Sequence, residues 1–397
     1  MDTSCLRGPL LFALLILATR ASTEITNSPG TNLWHLDAIN ECPITPNTTG
    51  LGVTVYLVDT GCRTDHYEFV DADIENFVLP DFKPQFEDTL GSGTHMASMI
   101  VGKDVGFAKN VKVRCIRVYD EEGKSTEKEL IDGIRIAQTM HLEDTSATIP
   151  VLLMTSVPKE QREVVNWECY DEQLGALTMK ETCVDPWREY SGFNPYCEQD
   201  ITNCRNRLDR AMEDAFTSGF HVITSAGNNG GDACDFSPSR VEFGLKFGSF
   251  DQNGQVWSSS NTGPCIDVFA PGVGVTGAWN SGKSAYIHDR EKTSTAAALG
   301  TAVVAKILEA NPTLTTENLR QALDAAAKTE DDGKLFLNIP CVPTPTPEPT
   351  PTPEPTPSPA PTASPAPTAA PAPPTAAPVP PTAAPAPPTA APAPPTA

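Results

Sequence analysis

A continuous run of β-branched and apolar residues, followed at once by an acidic turn, constrains the fold of this chain most. The segment Gly52–Val58 reads G-V-T-V-Y-L-V. Such a run is typical of a parallel strand that is buried on both faces. It ends at Asp59-Thr60-Gly61. Asp59 is therefore predicted to lie at the carboxyl edge of a sheet, where open α/β folds bind their ligands.

Strand-like and helix-like segments continue to alternate after this run. Alternation at this spacing indicates an α/β fold with a mostly parallel central sheet flanked by helices. The strand candidates are residues 111–118, 151–155 and 221–225, and the helix candidates are residues 126–140 and 204–218.

The end of the chain has a different composition. Residues 342–397 consist mainly of Pro, Thr and Ala, and such a low-complexity tail is expected to be disordered and extended because it has little apolar area to bury. Residues 22–341 then form one domain of ordinary size. The tail is consistent with a glycosylated stalk that contacts a cell wall or matrix, and equally with a passive linker.

Residues 1–21 have the pattern of a secretory signal peptide. Arg7 precedes an apolar run at 9–18 that is too short to span a bilayer, and Ala21 ends a small-residue cleavage site. A buried N-terminal strand or helix is the alternative interpretation. Because no later segment reaches about 18 consecutive apolar residues, we expect a secreted protein, extracellular or at the cell surface, without a membrane span.

Cysteine usage agrees with an oxidising compartment. Of the 11 cysteines, Cys5 lies in the predicted signal and the other ten form an even set. Disulfides are therefore expected, but sequence alone does not choose their pairing. Residues 159–204 hold four cysteines and form a predicted Cys-rich insertion, either a binding loop or surface decoration. Asn47-Thr48-Thr49 is a glycosylation sequon.

The charge of the chain excludes one class of partner. The formal net charge is −22, which opposes binding to nucleic acid because phosphates are repelled. Some of the carboxylates are candidates for structural calcium, although no D-x-D-x-D-G loop is present.

Several short motifs occur in the order and spacing of one enzyme family. Together they resemble the subtilisin-like serine proteases (peptidase S8), most closely the proteinase K-like branch. The resemblance covers residues 34 to about 330 and implies the parallel α/β fold of that family. The segments that carry it are Trp34–Ile39, Val55–Gly61, Gly91–Ser98, Ser225–Asn229, Cys265–Gly272 and Lys292–Ala297.

The resemblance implies a role for each matching residue. Asp59 corresponds to the aspartate that orients the catalytic histidine, Ser294 to the nucleophile and Asn228 to the oxyanion donor. Active members need no cofactor for this chemistry, and many bind structural calcium.

The histidine motif departs from the family at its central residue. The segment that follows Gly91 reads Ser92-Gly93-Thr94-His95. It resembles the family's H-G-T-H motif, with Ser92 at the position of the catalytic histidine. A serine hydroxyl is a poor proton acceptor near neutral pH, so the general base is missing. His95 matches the second histidine of the motif, and we expect it to be structural; a replacement of the base by His95 is the alternative.

Three other departures from the family's pattern also indicate an inactive protein. Lys292 stands where the serine motif has glycine, and Thr155-Ser156-Val157 replaces the substrate-lining S-L-G. The interval between the predicted signal and Trp34 is shorter than a family pro-segment, which an inactive protein does not require.

Three functions are compatible with these observations. The first is a secreted pseudoprotease that binds peptide or protein through a retained cleft. The second is an active serine endopeptidase with a non-standard base. The third is a structural extracellular or cell-wall glycoprotein.

Overall fold

The computed structural model describes most of the region between the predicted signal and the tail. The predicted signal peptide, Asn47 of the sequon, most of the insertion and the Pro-rich tail lie outside the described residues. Residues 344–397 form a separate unit of the chain. The described residues are 25–39, 48–80, 82, 87–88, 90–155, 167–171, 176–180, 204–329 and 334–337.

Fifteen strands lie in the described part of the chain, and they form three sheets. They are β1 (Ile25–Thr26), β2 (Val53–Asp59), β3 (Ile74–Val78), β4 (Lys112–Arg117), β5 (Ile149–Met154), β6 (Trp167–Asp171), β7 (Ala176–Lys180), β8 (Cys204–Asn206), β9 (His221–Ser225), β10 (Leu245–Phe250), β11 (Val268–Pro271), β12 (Val275–Ala278), β13 (Tyr286–Arg290), β14 (Ala327–Thr329) and β15 (Leu335–Leu337).

Six α-helices accompany these strands within the described ranges, and both predicted helices are among them. The helix expected at 126–140 begins with a capping box between Thr126 and Glu129 and continues to Glu143. The one expected at 204–218 begins only at Arg207, because residues 204–206 form β8. The helices are α1 (Trp34–Ile39), α2 (Ser92–Val101), α3 (Glu127–Glu143), α4 (Arg207–Thr217), α5 (Thr293–Ala310) and α6 (Thr316–Ala326). Within the described residues, none of the helices combines the length and hydropathy that a bilayer span requires.

The largest sheet has nine strands in the order β14-β15-β11-β10-β9-β5-β2-β4-β3. All neighbouring pairs are parallel except β14 with β15. The expectation of a mostly parallel α/β sheet flanked by helices is therefore confirmed.

Strand β2 lies inside this sheet and faces two cores. All seven of its residues are buried. Val53, Val55 and Leu57 pack in a core with α2 and α5, whereas Tyr56 and Val58 pack in a second core with α3 and α4. Helices on both faces explain why the strand shows no polar alternation.

Two smaller sheets lie outside the central one. The sheet β1-β13-β12 is antiparallel, and its hairpin leads from β13 into α5. The sheet β7-β6-β8 is also antiparallel and contains the described part of the predicted insertion.

Two disulfides are present among the described residues. One joins Cys62 to Cys115, and the other joins Cys234 to Cys265. The expectation of disulfides is confirmed. The side chains of the other cysteines lie outside the described residues.

Candidate active site

Asp59 lies at the carboxyl edge of the central sheet, as predicted. It is the last residue of β2 and is 1% exposed. Its Oδ1 accepts a hydrogen bond from the Thr60 backbone N–H at 2.8 Å, and its Oδ2 accepts one from the Thr155 hydroxyl. Ser225, at the end of β9, donates to the Thr155 carbonyl. The carboxyl ends of the adjacent strands β2, β5 and β9 are thus linked through Asp59 and Thr155.

Ser92 begins α2 beside this edge. The preceding Gly91 has a φ of +84°, a left-handed conformation that favours glycine. A Cβ on Gly93 would lie 1.9 Å from the Gly61 carbonyl oxygen. Because no larger residue fits there, the first turn of α2 is held directly against the Asp59-Thr60-Gly61 turn.

Asp88 is a site residue that sequence reasoning missed. Its Oδ1 accepts hydrogen bonds from the backbone N–H groups of Leu90 at 3.0 Å and Gly91 at 2.8 Å, and from the Thr60 hydroxyl at 2.9 Å. Its Oδ2 accepts from the backbone and the hydroxyl of Thr94, at 3.0 and 2.6 Å. Burial raises the pKa of Asp88, and these hydrogen bonds oppose the rise. An acidic residue just before a helix is the signal that would have indicated such a cap.

Ser294 lies at the start of another helix. It is the second residue of α5 and is 6% exposed. The preceding Lys292 has an exposed side chain, and its backbone N–H donates to the Gly272 carbonyl at 2.8 Å. The N-terminus of a long helix favours negative charge near the Ser294 hydroxyl.

Asn228 is oriented by the residue that precedes Ser294. Its side-chain oxygen accepts hydrogen bonds from the Thr293 backbone N–H at 2.9 Å and from the Thr293 hydroxyl at 3.0 Å. A backbone N–H only donates, so the atom that faces it is the oxygen. The amide nitrogen of Asn228 therefore points away from Thr293, in the orientation that an oxyanion donor requires.

All six histidines lie among the described residues, and none is hydrogen-bonded to Ser294. His95 is fully buried, and its Nε2 lies 3.5 Å from the Thr295 hydroxyl. Burial, Arg290 and His35 lower the pKa of His95 well below its usual value. A Cβ on Gly277 would lie 2.1 Å from His95 Nδ1, so this ring is packed against β12.

The other five histidines have contacts elsewhere in the fold. His35 bonds to the Val105 carbonyl, His66 to Glu68 and Ala285, His221 to Thr316, and His288 to Thr26 and Thr276, whereas His141 packs against Tyr56 and Phe220.

Arg290 and Trp279 are further residues of this region that the sequence did not indicate. The guanidinium carbon of Arg290 lies 4.9 Å from the centre of the Trp279 ring. The Nε of Arg290 is buried and has no hydrogen-bond partner among the described residues. The Trp279 indole packs on Gly91, where a Cβ would approach it to 2.6 Å. This stack therefore lies at the N-terminus of α2, beside Ser92.

Among the described side chains, no group of three or more His, Cys, Asp or Glu is placed to hold a metal ion. Structural calcium stays a prediction.

The fold and this arrangement define a subtilisin-like domain. A comparison with protein-family models matches the subtilase family (peptidase S8) to residues 50–339. The chain belongs to the subtilase family.

Solved and curated proteins agree with this assignment. The structure of a cold-adapted subtilisin-like serine proteinase superimposes with a TM-score of 0.58 at 27% identity, covering 80% of this chain and 100% of that chain. An extracellular serine proteinase of Thermus sp. strain Rt41A is 28% identical over 302 residues, which is 75% of this chain and 61% of the relative.

Two other relatives match a shorter region. Alkaline serine exoprotease A of Vibrio alginolyticus is 30% identical over 256 residues, 63% of this chain and 39% of the relative. A subtilisin-like serine protease of Davidiella tassiana is 28% identical over 236 residues, 59% of this chain and 39% of the relative. The matched region thus spans between 39% and 61% of the length of these relatives.

Proposed function

We propose that this chain is a secreted pseudoprotease that binds extended peptide or protein segments in its cleft and does not cleave them efficiently. One observation carries the proposal: no histidine is hydrogen-bonded to Ser294, and Ser92 begins α2 at the edge where Asp59 lies. By motif order, Asp59, Ser294 and Asn228 correspond to the family's catalytic residues, and Ser92 corresponds to its base.

The chemical reason is proton transfer. Attack on a peptide carbonyl requires that the Ser294 proton pass to a nearby base. The Ser92 hydroxyl is a poor acceptor, and His95 is packed against β12 next to Thr295. In subtilisin, loss of the histidine lowers turnover by about 10⁶-fold.

Binding needs no base. The Asn228 amide nitrogen is held away from Thr293, and the N-terminus of α5 adds a favourable field for a peptide carbonyl oxygen. These features support recognition of the main chain of a peptide or protein partner.

Localisation and further partners belong to the same proposal. The signal-like segment at 1–21 supports secretion, as does a relative described as extracellular. The Pro-rich tail is compatible with contact to a cell wall or matrix.

An active serine endopeptidase is the second candidate. The relatives are named as proteases, and both Ser294 and Asn228 are in place. This candidate needs another base, supplied by the substrate or by a movement of His95.

A serine-directed fluorophosphonate probe distinguishes the two. We expect Ser294 to react at least about 10³-fold more slowly than the serine of an active subtilase, measured by mass spectrometry on protein shown to be folded by circular dichroism. The Ser294→Ala variant is the negative control. Stoichiometric labelling within minutes, with casein cleavage that a serine inhibitor blocks, would instead establish the endopeptidase.

The Ser92→His variant tests the missing base directly. We expect casein hydrolysis to rise by about 10²-fold or more. If Lys292 also obstructs substrate, the rise will require Lys292→Gly as well. Equal hydrolysis by the unchanged protein and both variants contradicts the proposal.

A further inference from the structure

The loop that carries Asn228, residues 226–231, follows β9 and contains no helix or strand. It includes Gly227 and Gly230, whose φ angles of +97° and +67° lie in the left-handed region. Glycines leave a loop with many accessible conformations. A fixed direction for the Asn228 amide therefore requires contacts from outside this Asn228 loop.

A single buried side chain supplies such contacts. Asn261 is fully buried, and its side-chain oxygen accepts hydrogen bonds from the backbone N–H groups of Asn229 at 3.0 Å and Gly231 at 3.1 Å. Its amide nitrogen donates to the Ala226 carbonyl at 3.0 Å. One side-chain amide, which offers both an acceptor and a donor, thus binds the loop on both sides of Asn228.

The backbone around Asn261 extends the same contact. The backbone N–H of Asn261 donates to the Gly227 carbonyl at 2.9 Å, and that of Thr262 donates to the Gly231 carbonyl at 2.9 Å. A Cβ on Gly227 would lie 2.5 Å from the Asn261 amide nitrogen. The Asn228 loop is therefore packed closely against the segment that carries Asn261.

We propose that Asn261 is a positioning residue, which fixes the Asn228 loop in the conformation that directs the Asn228 amide nitrogen at a peptide carbonyl. This inference rests on the proposed function, because it assigns Asn261 to the recognition of a bound peptide. Asn261 is fully buried and acts through Asn228. Thr293 fixes the side chain of Asn228, and Asn261 fixes the backbone that carries it.

A double-mutant cycle between Asn261→Ala and Asn228→Ala tests this role. We expect Asn261→Ala to weaken the affinity for fluorescein-labelled casein, measured by anisotropy, by about tenfold. In the Asn228→Ala background the same change should alter the affinity by less than about twofold, because the amide that Asn261 positions is absent. Equal weakening in both backgrounds would overturn the inference.

Asn76→Ala is the matched control for this cycle. Asn76 lies in β3 and also accepts a backbone N–H, from Cys62 at 2.8 Å, and donates to a carbonyl, that of Glu87 at 3.1 Å. Its effect on affinity should be the same with and without Asn228. Coupling to Asn228 as strong as that of Asn261 would show that general destabilisation explains the result, which contradicts the inference.

The conservative variant Asn261→Asp keeps an oxygen for the N–H groups of Asn229 and Gly231. It should retain more of the casein affinity than Asn261→Ala, and it takes the place of Asn261→Ala in the cycle if that variant does not fold.

Hydrogen exchange in the unchanged protein examines the same contacts without any substitution. The Asn229 side of the loop is exposed, yet its backbone amide and that of Gly231 should exchange at least about 100-fold more slowly than in an unfolded chain. Rapid exchange of both amides would contradict the inference.

A measurement without any bound partner separates this inference from the proposed function. The side-chain NH₂ resonances of Asn228, identified in NMR spectra by their loss in Asn228→Ala, should shift in Asn261→Ala and stay in place in Asn76→Ala. Unshifted resonances in Asn261→Ala contradict the inference and leave the proposed function standing. If Asn228→Ala leaves the casein affinity unchanged, the proposed function loses its support, whereas the NMR shift still tests whether Asn261 positions Asn228.

Discussion

The N-termini of α2 and α5 differ in how far they keep a hydrolytic arrangement. On the α5 side, Thr293 orients Asn228 beside Ser294. On the α2 side, Ser92 adjoins a network in which Thr60 donates hydrogen bonds to both Asp59 and Asp88.

In the proposed function, this difference between the α5 side and the α2 side separates peptide recognition from proton transfer. The α5 side holds the groups that would polarise a peptide carbonyl, and these need only fixed dipoles. The α2 side would have to accept a proton, but α2 begins at Ser92, whose hydroxyl is a poor proton acceptor. Loss of proton transfer therefore does not require loss of peptide recognition.

Removal of each disulfide should have the largest effect on stability. Cys62–Cys115 lies on the α2 side and closes a separation of 53 residues, whereas Cys234–Cys265 lies near the Asn228 loop and closes one of 31. Replacing the first pair by alanine should cost about 4 kcal/mol, and replacing the second slightly less. Urea unfolding measures both, and a greater cost for the second pair would reverse the comparison.

Gly93→Ala should come next, with a loss of about 3 kcal/mol. The added Cβ would collide with the Gly61 carbonyl oxygen at 1.9 Å, which would separate α2 from the Asp59 turn. Gly231→Ala is the matched control on the other side, since its nearest atom, in Phe236, lies 3.4 Å away. Thermal or urea unfolding should show little change for the control. Similar losses for both variants would contradict the tighter packing of α2.

Acidification should destabilise the protein through His35. Burial lowers the pKa of His35 from 6.5 to about 4, against the opposing effects of the Val105 carbonyl and Asp37. The unfolded state therefore binds the proton first, so this stability is present above pH 6.5 and is lost as pH falls towards 4. Between pH 7 and 5 the loss should be about 2 kcal/mol. His35→Gln should remove this part of the pH dependence in urea unfolding; an unchanged slope would contradict it.

Thr293→Val should have the smallest effect and should be confined to the α5 side. It removes the hydrogen bonds that the Thr293 hydroxyl donates to Asn228 and accepts from the Gly227 backbone N–H, but it keeps the backbone bond to Asn228. We expect the affinity for fluorescein-labelled casein, measured by anisotropy, to weaken by about 1 kcal/mol, or about fivefold. Thr293→Ser keeps the hydroxyl and is the control. Equal weakening by the two variants would show that Asn228 orientation does not govern binding.

Much of the fold was predictable because it depends on local patterns. The apolar run before Asp59 predicted a buried parallel strand, and β2 is one. The alternation of later segments predicted the parallel sheet. Motif order also singled out Ser294 and Asn228, but it did not predict that Ser294 lies in the first turn of a helix.

Local patterns did not predict the disulfide pairing. They also did not indicate the contacts of three residues near the site, Asp88, Trp279 and Arg290. Cys62 lies beyond the end of β2, and its backbone N–H donates to Asn76, the β3 residue that is in register with Cys115 of β4. Arg290 and Trp279 lie in the second half of the chain, yet Trp279 packs against Gly91 at the start of α2, and Arg290 stacks on Trp279. No local periodicity marks such contacts.

The amino-acid order was thus sufficient for the class of fold and for the place of Asp59 at the carboxyl edge of the sheet. Strand and helix periods are local properties of the chain, and they carry this information. The departure from the family's motif at Ser92 stays a prediction. The partners of Asp59 and the packing of His95 depended on how distant elements meet. Burial and charge compensation arise only when residues far apart in the chain are brought within a few ångströms of one another.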